Sequence, residues 1–218
     1  DGKLLGCVTQ RELAQIVRDE AEEDMLLMGG VSPDSTVDDT PLQIVRRRVP
    51  WLVGGLLGAS VAATVIGSYE DALAKAAILA SFIPVVMATA GNAGIQASTV
   101  SIQALTSGTM WSGDIWARLA REFVGAAMNG ALIGIAVGAM VLLVAQFVPI
   151  DRPGMLSATV LVALITVTVI ASTVGAAVPA VLDKLGLDPA VATGIFITTT
   201  NDVFGVLIFF TVASLLYF

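Results

Sequence analysis

Five stretches of this chain are apolar for long enough to cross a lipid bilayer, and that constrains its fold more than any other feature. A hydrocarbon core about 30 Å thick takes about twenty residues of helix. Residues 51–69, 76–105, 119–148, 156–182 and 189–218 each meet that length. Lipid offers no hydrogen bonds to the backbone, so spans of this kind must be helical. The second, third and fifth exceed the minimum and have to tilt, bend or project beyond the bilayer. Composition agrees, with 56% hydrophobic and 13% charged residues against about 25% charged in ordinary soluble domains. The net charge of −7 with no basic patch argues against a nucleic-acid partner. Histidine is absent and Cys7 is the single cysteine, so zinc chemistry, thiol clusters and an intrachain disulfide are excluded.

The charges collect at the N-terminal side, where residues 1–49 hold ten of the eighteen acids and six of the eleven bases. This region lacks the apolar h-region that an export signal requires. Asp1-Gly-Lys-Leu-Leu-Gly-Cys-Val-Thr9 reads as a hairpin turn and short strand, the trailing end of a soluble domain. Residues 11–28 then have helical composition, with Glu20, Glu23 and Asp24 at i, i+3 and i+4 on one face. Three like charges there are either a solvated acidic face or a divalent-cation sensor whose occupancy relieves the repulsion. Residues 29–41, rich in Gly, Pro, Ser, Thr and Asp, read as a linker. Arg46, Arg47 and Arg48 precede the first span, and Arg118 and Arg121 flank the third. The positive-inside rule therefore places the N-terminus in the cytoplasm and, after five crossings, Phe218 outside.

Glycines at 54 and 58 and at 130, 134 and 138 have the spacing of close helix contacts. Two spans carry polar groups as well. In the second, Pro84 crowds the carbonyl of Ala80 and predicts a bend. Thr89, Asn92, Gln96, Thr99 and Gln103 follow at three- and four-residue steps, a polar stripe that must face a helix or water. Gly91 and Gly94 flank Asn92 and thin the helix there.

In the fifth span Asp202 lies fourteen residues after Asp188, about 21 Å along a helix and close to the bilayer middle. A carboxylate at that depth costs about 2.5–3.5 kcal/mol on insertion scales and is usually given water, a proton or a cation. Glu122 follows Arg118 and Arg121 so closely that an interfacial ion pair is expected for it, whereas Asp202 has no such neighbour. Gly194, Thr198, Asp202 and Gly205 share one helical face, and the donors on offer are hard oxygens suited to Mg²⁺ or Ca²⁺. A twofold dimer with its pore on the axis would set two such carboxylates about one ion. An intramembrane protease would need a second deep acid or histidines, so an enzyme is not expected. Two other readings are a proton- or sodium-coupled carrier using Asp202 as its coupling site, and a non-conducting helper subunit.

The runs Pro84-Val-Val-Met-Ala-Thr-Ala-Gly-Asn-Ala-Gly-Ile-Gln96 and Thr199-Thr-Asn-Asp-Val-Phe-Gly205 resemble those of the MgtE magnesium channels, which are related to the SLC41 carriers. The likeness extends to the acidic helix, Arg48-Val-Pro-Trp51 and Leu185-Gly-Leu-Asp-Pro-Ala190, and so covers nearly the whole chain. It implies an all-α membrane protein of the bacterial inner membrane. In it, residues 1–19 end a cytosolic CBS domain, 20–49 form an acidic connecting "plug" helix and linker, and 50–218 form five transmembrane helices. It further implies a homodimer in lipid that conducts Mg²⁺ inward under voltage and is gated by cytosolic Mg²⁺. Asp202 would hold the pore ion, and Glu20, Glu23 and Asp24 the regulatory one. Thr89, Gly91, Asn92, Gly94, Gln96, Thr198, Asn201 and Gly205 would line the pore, with no organic cofactor. Ala88 and Ala90 depart from a family pattern richer in glycine, and each methyl narrows the approach to the backbone.

Overall fold

The computed structural model describes residues 8–107 and 115–218. Of the hairpin and strand expected over residues 1–9, residues 1–7, Cys7 included, lie outside them, while Val8 has no regular structure and Thr9 caps the first helix. All regular structure among the described residues is helical. Helix α1 (Gln10–Met28) opens on a capping box in which the Glu12 N–H donates to Thr9 Oγ1 at 3.3 Å and the Thr9 N–H donates to the Glu12 carboxylate at 2.7 Å. It stops at Gly29, and Gly30 takes a left-handed φ of 67° that turns the chain toward the bundle.

Helix α2 (Pro41–Ser68) begins ten residues before the expected first span. Pro41 sits in its first turn, and the Gln43 side chain accepts from the Thr40 N–H at 2.8 Å, so the polar lead-in is helical as well. The arginine triplet therefore lies on the helix, with Arg47 donating to Asp39 at 2.5 Å. After the short α3 (Glu70–Lys75), a 3₁₀ turn (Ala77–Phe82) leads into α4 (Ile83–Thr106). This corrects the expected kink. Pro84 occupies the first turn of α4, where no intrahelical N–H bond is required, and the change of helix type comes before it. Helices α5 (Ile115–Val144), α6 (Pro153–Lys184) and α7 (Ile195–Leu216) complete the chain, with a second 3₁₀ turn (Pro189–Ala192) before α7. Five segments, α2, the 3₁₀ turn with α4, α5, α6 and α7, are long and apolar enough to span a membrane.

Helix α6 is the centre of the bundle and the most buried span. Helix α5 lies against it through the glycines at 130, 134 and 138; a methyl at Gly130 would meet the Ile165 Cα at 2.8 Å, and one at Gly138 the Ser157 Oγ at 2.7 Å. On the other side α4 crosses α6 so closely that a Cβ on Gly175 would run into the Gly94 carbonyl. Helix α7 closes the core, with Phe209, Phe210 and Val206 packed among Leu79, Phe82, Val86, Leu156 and Val160. Tyr69 stacks on Phe210 at 4.8 Å between ring centroids. Helix α2 touches mainly α7 and buries little beyond Ala62.

Candidate cation site

The first turns of α7 are built from backbone geometry and hydroxyls. The Asp188 carboxylate accepts from the Ala190 N–H at 2.8 Å, shaping the turn that launches the helix. Thr198 then donates its hydroxyl to the Gly194 carbonyl, and Thr199 to that of Ile195 at 2.7 Å. One turn further on, Asp202 is half-buried and has no ion-pair partner among the described residues. It looks across to Gly91 on α4, where an added methyl would sit 4.0 Å from its Oδ1 and 3.3 Å from Thr198 Cγ2. Gly91, Thr198 and Asp202 thus meet, and only a glycine keeps that face of α4 clear.

The other expected pore residues divide between two environments. Asn201, the residue preceding Asp202, meets α4 at a different point. It is 1% exposed, donates Nδ2 to the Ala90 carbonyl at 3.4 Å and fills the space left by the missing side chain of Gly94. Its Oδ1 is buried without a hydrogen-bond partner among the described residues. Gly205 is buried against Ala90, Val86 and Val167. In this structure Gly94, Asn201 and Gly205 are therefore contacts between helices of this chain, and Gly194 lies beside the Gly30 turn rather than beside the acid.

The polar stripe of α4 lies on its open side. Asn92, Gln96, Thr99 and Gln103 are exposed, while Val86, Ala90, Ala97 and Ile102 fill the opposite, buried face. Thr89, half-buried, donates its hydroxyl to the Val85 carbonyl at 2.7 Å. Thr89, Asn92 and Gln96 line a cavity of about 590 Å³ between α4, α5 and α6, together with Glu122, Asn129 and Ser172. The ion pair expected for Glu122 does not form among the described residues. Arg118 turns instead to α4, donating to Ser101 Oγ at 3.0 Å. The i, i+7 relation of Glu122 to Asn129 carried this information in the sequence, although the flanking arginines argued against it.

On α1, Glu20 and Glu23 are exposed, and Asp24 rests partly buried against the end of the bundle. The Thr106 hydroxyl lies 3.5 Å from the Asp24 carboxylate. Burial, then repulsion from Asp188 and from Glu20, pushes the Asp24 carboxyl above the usual carboxylate range. Asp188 was a loop acid by sequence, and folding brings it to α1. No group of three acids or thiols among the described residues converges on a metal-sized site, so Glu20, Glu23 and Asp24 do not close on one ion by themselves.

Five bilayer-length helices, one of them carrying a half-buried acid without an ion-pair partner among the described residues, define an integral membrane protein. A family model described as MgtE, divalent cation transporter, matches residues 83–212, and the chain belongs to that family. It is 33% identical over 215 residues to the magnesium transporter MgtE of Enterococcus faecalis, covering 99% of this chain and 46% of that protein. The magnesium transporter MgtE of Thermus thermophilus is 34% identical over 218 residues, covering 99% and 47%. That of Bacillus subtilis is 32% identical over 211 residues, covering 97% and 46%. The chain spans about half the length of these curated relatives.

Proposed function

We propose that this chain forms the membrane pathway of a magnesium channel or transporter, with Asp202 as the ligand that selects a dication. The observation that carries this reading is a half-buried carboxylate with no cationic partner among the described residues, facing the bare backbone of Gly91 inside a membrane bundle. An ionised acid there draws a cation, and Mg²⁺ keeps several waters and needs only one or two carboxylates. Two copies about a twofold axis supply the second Asp202, and Thr198 lies beside it on the same path. Voltage drives the ion inward, since moving two charges across 100 mV is worth about 4.6 kcal/mol. The N-terminus is cytoplasmic and the C-terminus outside, as the arginines in the polar N-terminal turns of α2 and in the first turns of α5 favour.

Residues 1–19 are read as the end of a CBS domain and 20–49 as the connecting plug and linker. Support comes from the contact of α1 with the 3₁₀ turn before α7, which sets the Gly30 backbone and Leu27 over the cytoplasmic end of the pore helix. Cytosolic Mg²⁺ shared by Glu20, Glu23 and Asp24 would hold this contact closed. The direct test is Mg²⁺ influx into liposomes. Asp202→Asn, close in size but neutral, is expected to lower influx at least about tenfold, the scale of about 1.4 kcal/mol in ion binding; influx equal to the unsubstituted chain sinks the assignment. A proton- or sodium-coupled carrier differs in requiring a gradient of its partner ion, where the pore proposed here conducts under voltage alone.

A further inference from the structure

The cavity between α4, α5 and α6 contains a second carboxylate in the membrane region that the Asp202 site leaves unused. At about 590 Å³ it is large enough to admit a hydrated ion. Glu122 is half-buried at its wall, no lysine or arginine among the described residues lines it, and Arg118 is bound to Ser101 instead. Asn129 is two helical turns further along the same face of α5, Gln96 and Asn92 approach from α4, and Ser172 from α6. Leu132, Ile133 and Val100 supply the apolar remainder. A carboxylate in such a setting is stabilised by a cation, which the described side chains around this cavity do not provide. The amide and hydroxyl oxygens around it suit the water shell of a hard ion. Gly91 faces Asp202, while the next residue, Asn92, lines this cavity, whose wall does not include Asp202.

We infer that this cavity is a second divalent-cation site, with Glu122 as its charged ligand and Asn92, Gln96 and Asn129 holding the ion's water shell. The inference rests on the proposal that this chain handles divalent cations, but not on the role of Asp202. It is tested with the chain in lipid nanodiscs and dicyclohexylcarbodiimide, an apolar reagent that modifies membrane carboxyls, with labelling of Glu122 followed by peptide mass spectrometry. Mg²⁺ at about ten times its dissociation constant should slow that labelling about tenfold. Asn129→Leu, which fills the cavity without changing its charge, should remove the protection, and Asp202→Asn should retain it. A Mn²⁺ titration should count one fewer ion per chain for Glu122→Gln. Equal labelling with and without Mg²⁺, loss of protection in Asp202→Asn, or an unchanged Mn²⁺ count overturns the inference. If Asp202→Asn conducts normally while Glu122 remains protected, the pore assignment fails and this site stands.

Discussion

Asp202 and Asn201 are adjacent in the chain and chemically similar in size, yet the helix sends them to opposite fates. A step of about 100° along α7 leaves the acid half-buried facing Gly91 and buries the amide against Gly94. Asp24 is the residue where pH becomes a structural variable. Its carboxyl is raised by burial and by Asp188, so the charged form is disfavoured where α1 is docked. For an acid whose docked pKa exceeds its free value, docking is strongest below the free pKa and weakens as pH rises through the docked one. Asp24→Asn is therefore expected to hold α1 on the bundle at neutral pH. Hydrogen exchange at Gly30 and Val31, whose N–H groups bond back to Leu27 and Leu26 at 2.9 Å, should slow in the variant. Unchanged protection would show that the charge on Asp24 does not govern docking.

At the scale of the helix, capping and proline placement set where each element begins, and close glycine contacts set how the elements pack. Pro84 illustrates the first. Because it opens α4 and does not interrupt a helix, Pro84→Ala should shift stability by no more than about 0.5 kcal/mol, the range of a substitution away from critical contacts. A loss of several degrees in thermal unfolding would restore the kinked-helix expectation. The bend was expected because a proline within a long apolar run reads as internal. Apolarity marks the extent of the membrane, not the start of α-helical hydrogen bonding, and the preceding 3₁₀ turn is apolar too. The extension of α2 into the arginine triplet was missed for the converse reason, since polar residues in water can continue a helix whose first turn is well capped.

For the molecule as a whole, the open polar face of α4 and the nearly unburied α2 leave much of the bundle to meet lipid or another copy. A pore on a twofold axis with Asp202 beside it predicts that Thr198→Cys, in a Cys7→Ser background, will cross-link between copies with a short thiol reagent in the membrane. The Mg²⁺ path should be blocked in parallel. Monomeric behaviour on denaturing gels after full labelling would place Thr198 away from the axis. Much of the architecture follows from sequence alone. The apolar runs dictate five helices because lipid leaves the backbone no other partners, and Asp202 declares itself because an acid at that depth is costly unless it has a use. Only tertiary structure decides which neighbours it meets. The helical period puts Asn92, Gln96 and Thr99 on one side, but it took the packing of α4 on α6 and α7 to leave that side open and bury Gly94 and Asn201. It also took the turn of Arg118 toward Ser101 to leave Glu122 in a polar cavity. Sequence sets the local cost of each group, whereas the partner that offsets it comes from a helix dozens of residues away.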